Sequence, residues 1–225
     1  MDTHADAIAV YASTDAQGAQ SLSHDSGVII GGLISNVRIL VTKRGRTAGQ
    51  RMAIITLQDR HGDIELVAFP ETFSKLGDRL IKDTIVLATG IIDTSRGDVQ
   101  VQLDAVHTLD DASRHLTTRL ELDLLDGGDD QLPILARAEM VAGILKQVGG
   151  ARVGDGRPAD VDVRMIQNGE LVVMRSKHRV IVDASLLRRL GDELGDDAVR
   201  IIGGGGIPTP KPRRSYRRAP AESLA

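Results

Sequence analysis

Apolar and polar residues alternate every second position in several short stretches of the first half of the chain. This two-residue period predicts β-strands that bury one face. The predicted strands cover about residues 27–40, 52–58, 63–69, 83–92 and 99–106. In the last of them, the side chains expected to point inward are Val99, Val101, Leu103 and Ala105.

The segments between these strands indicate how they connect. Asp59 to Gly62 is a tight polar turn, and Pro70 opens a short predicted helix with Phe73, Leu76 and Leu80 on its buried side. Gly31-Gly32 interrupts the first strand, which predicts a bulge or a sharp bend. Five strands with a helix after the third have the order of an OB-fold barrel. In that fold the ligand binds the face of strands two and three, between the loops that join strands one to two and four to five.

A second unit is predicted over residues 117–202, after a connector at 110–117. Its order is β-α-β-β-α-β, which predicts a small ferredoxin-like α/β sandwich. The fold class is therefore β plus α+β: a five-stranded OB-fold barrel at 27–109, followed by this smaller domain. Residues 1–26 are predicted to form a flexible leader, and residues 203–225 a disordered basic tail.

Cations are concentrated in the loop between the first two predicted strands. The stretch from Arg38 to Arg51 holds five cations and no acid, although the whole chain has a net charge of −3. A basic loop beside an open sheet face suits a phosphate backbone, whereas the acidic remainder argues against nonspecific duplex binding. A second basic run, 175–179, could extend the track, face an acidic partner or simply be an exposed strand end.

Several other functions are not expected. The chain has no Cys, no apolar run of membrane-spanning length and no positively charged start typical of a secretory signal, so a cytoplasmic location is predicted without membrane contact. The six His residues have no metal-ligand spacing. The glycine run at 203–206 lacks the Lys-Ser/Thr of a phosphate-binding loop. We therefore expect no metal, no cofactor and no catalysis by this chain alone.

Two segments resemble the C-terminal region of the bacterial DNA polymerase III alpha subunit. The segment at 27–73 reads GVIIGGLISNVRILVTKRGRTAGQRMAIITLQDRHGDIELVAFPETF and is similar to that family's OB domain. The segment at 163–195 reads VRMIQNGELVVMRSKHRVIVDASLLRRLGDELG and is similar to its terminal domain. The resemblance implies an OB domain that contacts single-stranded template and a terminal unit that meets the clamp-loader tau subunit. Joined to a catalytic half, such a chain would be part of a DNA-directed DNA polymerase.

The resemblance and the basic loop together give the predicted nucleic-acid site. The resemblance implies six template-facing residues: Lys43, Arg44, Arg46, Arg51, Met52 and Ile54. Position and chemistry add Arg38 in the first strand, Phe69 as an aromatic that could stack on a base, and Arg96 in the loop between strands four and five. The family commonly has an aromatic where Ile54 stands, and Thr47 to Gln50 lengthen the loop.

Four functions stay open at this point. The chain could be a single-stranded DNA-binding module of a replication or repair polymerase. It could be a fragment of a split polymerase that works only with its catalytic subunit. It could be a protein-interaction scaffold whose OB face no longer binds DNA, which the missing aromatic at position 54 would permit. A tRNA-binding OB module is the weakest of the four, because no synthetase domain follows.

Overall fold

Nine strands and six α-helices make up the part of the chain that the computed structural model describes, which is residues 2–95, 97–124, 134–148, 156–167 and 169–210. The strands are β1 (Gly27–Val41), β2 (Arg51–Gln58), β3 (Asp63–Ala68), β4 (Ile85–Asp93), β5 (Gln100–His107), β6 (Arg119–Asp123), β7 (Asp160–Gln167), β8 (Glu170–Arg175) and β9 (Val199–Ile202). The helices are α1 (Asp2–Tyr11), α2 (Ala16–Ala19), α3 (Pro70–Leu76), α4 (Leu109–Leu116), α5 (Ile134–Val148) and α6 (Ala184–Leu194).

The first five strands close into a barrel in the order β1-β2-β3-β5-β4. All neighbouring pairs are antiparallel except β3 and β5, which run parallel over a short stretch. This closed barrel, with α3 after the third strand, confirms the predicted OB-fold. Branched aliphatic side chains fill its interior, and those with almost no exposed surface include Ile30, Ile34, Ile55, Leu57, Leu66 and Ile92.

Helix α3 covers one end of the barrel. Pro70 is its first residue, where a missing N–H costs nothing, and Phe73 and Leu80 reach the barrel core while Leu76 packs against it partly exposed. The predicted buried side of this segment is therefore confirmed. Leu80 lies beyond the α-helix itself, after a single 3₁₀ turn at Gly77–Arg79.

The bulge predicted at Gly31-Gly32 and the inward position predicted for Ala105 were wrong. The pair Gly31-Gly32 lies in a regular ladder with β4, and the bulge of β1 occurs instead at Ser35, between Ile34 and Asn36. In β5 the inward alternation changes at a second irregularity, opposite Thr89 and Gly90 of β4. Because one residue is added there, Val106 rather than Ala105 enters the core.

The residues predicted as a flexible leader and as a connector form helices instead. Helix α1 packs on the outside of the barrel and buries Tyr11, and α2 inserts Ala16 and Ala19 into the core of the barrel. Helix α4 replaces the predicted connector; Thr108 caps it by accepting a hydrogen bond from the backbone N–H of Asp111. These segments are ordered because their few apolar side chains meet apolar strand surface that the strand pattern alone does not reveal.

The second unit has the predicted element order but a different strand order. Its sheet runs β8-β7-β6-β9, with β6 and β7 adjacent and parallel and the outer pairs antiparallel. A ferredoxin-like sandwich splits the first β-α-β unit by placing another strand between its two strands, and that split is not found here. The core between this sheet and helices α5 and α6 includes Leu120, Leu122, Val141, Val161 and Leu190.

A third, smaller apolar cluster joins the two units. Tyr11 of α1 and Leu116 of α4 pack against Ile29 and Leu87 on the outside of the barrel, and Ile201 of β9 contacts the same cluster. Residues 203–210, predicted as the start of a disordered tail, run along this junction instead, where the backbone N–H of Gly205 donates to the carbonyl of Leu116 at 2.8 Å. The rest of the predicted basic tail, 211–225, lies outside the described residues. No helix in the described part of the chain is long and apolar enough to cross a membrane.

Candidate nucleic-acid interface

The outward face of β1, β2 and β3 carries several of the predicted site residues in adjacent rows. Arg38 lies opposite Ile54, and Ile54 lies opposite Val67. The next row pairs Leu40 with Met52. Because alternate residues of β2 point inward and are buried, Met52 and Ile54 remain on the outside and half-exposed. The structure thus brings Arg38, Met52 and Ile54 together on one open, mainly apolar surface.

The basic loop stands at the end of this face, between β1 and β2. Lys43, Arg44 and Arg46 are all exposed, and no carboxylate in the described part of the chain pairs with them. Three cations without acidic partners at one end of an open sheet face give that end a locally positive potential.

Hydrogen bonds within the loop give it a defined shape. The backbone N–H of Thr42 donates to the carbonyl of Gln50 at 2.9 Å, and the N–H of Gly49 donates back to Thr42 at 2.8 Å. Gly49 adopts a φ of +84°, a conformation that favours glycine. The segment Thr47 to Gln50 therefore does more than lengthen the loop: it folds back and closes it.

Arg51 does not join Met52 and Ile54. Along β2 it alternates in step with the inward-facing residues Ala53 and Ile55. Its guanidinium lies 5.6 Å from the centroid of the Phe73 ring in α3, within cation–π range. Arg51 and Phe73 line a cleft of about 960 Å³ between the basic loop and α3, together with Ile39. The charge of Arg51 is therefore presented on the α3 side of the loop rather than on the outward sheet face.

Phe69 is half-buried at the junction of β3 and α3. Its backbone is extended, with φ −63° and ψ 163°, and its carbonyl accepts a hydrogen bond from Phe73 N–H at 2.7 Å. It follows Ala68, the partner of Ala53, and alternates with Val67, which places residue 69 at the edge of the outward face next to Met52. Arg96 lies outside the described residues.

A polar row that the sequence did not single out crosses the same face. Asn36, Thr56, Glu65 and Gln100 are successive partners across β1, β2, β3 and β5, and Asp93 of β4 continues the row. The sequence shows that each of these residues is polar, but it does not show that they lie in one row. The parallel pairing of β3 with β5, which aligns Glu65 with Gln100, is a long-range contact that alternation cannot show.

The far end of this row is a buried carboxylate. Asp93 accepts hydrogen bonds from the backbone N–H of Ser95 at 2.9 Å and from the Gln102 amide at 2.9 Å. The bonds from Ser95 are the main reason that the pKa of Asp93 is lowered to about 2, and Gln102 contributes as well. Asp93 thus stays ionised and fixes the start of the β4–β5 loop.

The second basic run, at 175–179, is largely neutralised by ion pairs. Arg175 makes two hydrogen bonds to the Asp162 carboxylate, at 2.8 and 3.1 Å, and Arg179 lies 2.9 Å from Asp160. The hydrogen bond from Arg175 is the largest cause of the lowered pKa of Asp162. Of the three alternatives for this run, a continuous phosphate track is the least compatible with these ion pairs, because the charges of Arg175 and Arg179 are already compensated. No three ligating side chains among the described residues converge to hold a metal ion.

Comparison with known proteins agrees with the geometry. Residues 28–109 match the tRNA anti-codon family, which is described as an OB-fold nucleic acid binding domain. DNA polymerase III subunit alpha of Haemophilus influenzae is 27% identical over 76% of this chain and 14% of that protein. The Pasteurella multocida subunit is 26% identical over 86% of this chain and 16% of its own length, and the Escherichia coli K12 subunit is 34% identical over 45% and 9%.

The chain therefore spans at most 16% of the length of these curated relatives. The barrel carries the closed strand order, the exposed basic loop and the open outward face that a nucleic-acid-binding OB-fold requires. Residues 28–109 are an OB-fold nucleic-acid-binding domain, within a chain similar to part of the DNA polymerase III alpha subunit of several bacteria.

Proposed function

We propose that this chain is a non-catalytic module that holds single-stranded DNA for a replication or repair polymerase in the cytoplasm. The observation that carries the proposal is the position of Lys43, Arg44 and Arg46, which are exposed without acidic partners at the end of the open face of β1 to β3. Phosphates would meet these cations, and bases would lie across Met52, Ile54 and Phe69.

The balance of forces predicts attachment mainly by charge. Stacking on an aromatic ring contributes roughly 1–3 kcal/mol per base, and Phe69 is the one aromatic side chain that the face offers among the described residues. If three phosphates are neutralised on a single strand, log K against log salt concentration should have a slope of about −2. Binding should therefore be weak and sensitive to salt.

The test is fluorescence anisotropy with a labelled single-stranded oligonucleotide over a series of salt concentrations. Changing Lys43, Arg44 and Arg46 to Glu should weaken binding at low salt by about tenfold or more and remove most of the salt dependence. A matched control changes three exposed cations elsewhere, Lys82, Lys146 and Arg188, to Glu. Equal losses in both triple variants, or no loss in the first, would contradict the proposal, whereas absent or salt-independent binding by the unaltered chain would favour the scaffold without DNA binding.

The second unit is proposed to bind a protein partner of the polymerase. Strand β8 lies at the edge of its sheet, and Leu171 and Val173 are 53% and 55% exposed. An exposed apolar edge strand can accept a strand from another protein. The resemblance suggests two partners, the clamp-loader tau subunit and a polymerase catalytic subunit.

Pull-down of each purified partner with the full chain tests this role. Val173→Lys should abolish retention, because a charge at the edge opposes strand addition, while DNA binding by the barrel stays unchanged. Retention of a catalytic subunit alone would favour the split-polymerase alternative. Retention of neither partner by the unaltered chain would contradict the proposed role.

A further inference from the structure

The polar row on the outward face of the barrel combines amides, which both donate and accept hydrogen bonds, with carboxylates, which only accept them. Its central members, Glu65 and Gln100, are half-buried partners on β3 and β5, and Gln102 lies on the same face one row further along. Thr56 of β2 is the partner of Glu65 on the other side. The row therefore lies between the apolar surface of Met52 and Ile54 and the β4–β5 loop.

Hydrogen bonds within the row fix the orientation of both glutamines. The Gln100 Nε2 donates to a Glu65 carboxylate oxygen at 2.8 Å, and the Gln102 Nε2 donates to Asp93 at 2.9 Å. An ionised carboxylate only accepts hydrogen bonds, so each amide must turn its NH₂ group toward the acid. Each glutamine thereby commits one of its two N–H donors.

Several oxygens of the row keep free acceptor positions. The second oxygen of Glu65 and the side-chain carbonyl oxygens of Gln100 and Gln102 receive no hydrogen bond from any side chain in the described ranges. Glu65 also adds a negative charge. Each glutamine keeps one free N–H beside its carbonyl oxygen, so of these three side chains Glu65 is the one that offers a base acceptors without donors.

We infer that this row makes the barrel prefer bases with an exocyclic amino group, cytosine above uracil and thymine in particular. The amino group at position 4 of cytosine donates to a carboxylate, whereas uracil and thymine carry a carbonyl oxygen there, which the carboxylate repels. The inference rests on the proposed function, since it requires bases to lie on the face that the basic loop serves. Glu65 is the specificity-determining residue, and Gln100 positions its carboxylate.

The experiment compares homopolymers of deoxycytidine and deoxyuridine of about twelve nucleotides, a length within the range of OB-fold sites, by anisotropy near neutral pH. The two bases differ at position 4 and in the protonation of the neighbouring ring nitrogen, and neither carries the methyl group of thymine. We expect oligo-dC to bind about fivefold tighter or more, the range of one well-placed base contact.

Two variants assign the effect. Glu65→Gln removes the charge and supplies N–H donors, so the ratio of the two dissociation constants should fall to within about twofold. Asp63→Asn removes one exposed carboxylate from the same strand, outside the row, and should leave the ratio unchanged. Thermal melts of both variants establish that they are folded.

The outcomes separate the inference from the proposed function. If both homopolymers bind equally and the basic-loop triple variant still loses both, the proposed function stands and the inference is wrong. If Glu65→Gln keeps the full preference, the inference is also wrong. If neither homopolymer binds the unaltered chain, the proposed function fails and the inference fails with it.

Discussion

At the scale of single residues, His107 shows how burial fixes a charge state at the junction of the barrel and α4. Its ring stacks on that of His115, with centroids 4.9 Å apart and planes at 28°. Its Nδ1 is buried without a hydrogen-bond partner in the described part of the chain. Burial, and then the nearby His115, lower the pKa of His107 from 6.5 to about 4. The neutral ring is therefore the form that the fold accommodates.

This depressed pKa predicts a loss of stability on acidification. In the unfolded chain His107 takes up a proton near pH 6.5, whereas in the folded protein it does so only near pH 4. The free energy of unfolding should therefore be highest above pH 6.5, where the ring is neutral in both states. It should fall by on the order of 2–3 kcal/mol as the pH drops toward 4. His107→Phe keeps a ring on His115 but cannot titrate. Urea denaturation at several pH values should show wild type losing more stability than the variant, and parallel pH profiles would show that His107 does not contribute.

At the scale of elements, the pair Gly31-Gly32 in β1 provides the surface on which α1 packs. A Cβ at Gly31 would lie 2.3 Å from the Ile8 Cγ2 of α1, closer than real Cβ contacts allow. A Cβ at Gly32 would lie 2.5 Å from the carbonyl oxygen of Gln58. The missing side chains thus let a helix and a neighbouring strand approach β1, and they do so without a bulge.

Replacing Gly31 with Ala should therefore separate α1 from the barrel. We expect the free energy of unfolding to fall by about 1–3 kcal/mol, the usual range for overpacking, with faster amide hydrogen exchange in α1. Gly143→Ala in α5 is the matched control, because nothing lies within 4 Å of its Cβ and alanine favours helix. That control should be neutral or stabilising. An equally stable Gly31→Ala variant with a protected α1 would mean that the helix does not depend on this contact.

At the scale of the whole molecule, charge is arranged so that a chain with a net charge of −3 still offers one locally basic site. The arginines of the second unit's sheet pair with its own acids, as Arg175 does with Asp162 and Arg164 with Asp123. The cations of the basic loop have no such partners in the described part of the chain. The phosphates of a nucleic-acid strand would therefore be attracted to the barrel and not to the second unit.

The barrel could be predicted from the sequence because the evidence for it is local. Alternation in β2, a turn at Asp59 to Gly62, a helix opened by Pro70 and the Asp183 cap of α6 each depend on neighbouring residues and on backbone hydrogen bonds. The cluster of Lys43, Arg44 and Arg46 was visible for the same reason. The OB-fold order of these elements added that the loop and the face belong to one site.

Which surfaces meet became visible only in the folded chain. Tertiary packing folded residues 2–26 onto the barrel, turned Arg51 toward Phe73 and made β6 and β7 adjacent. It also aligned Glu65 with Gln100 through a parallel pair of strands that are far apart in the chain. Each of these outcomes depends on pairing and packing between distant segments, whose free energies do not appear in the periodicity of any one segment.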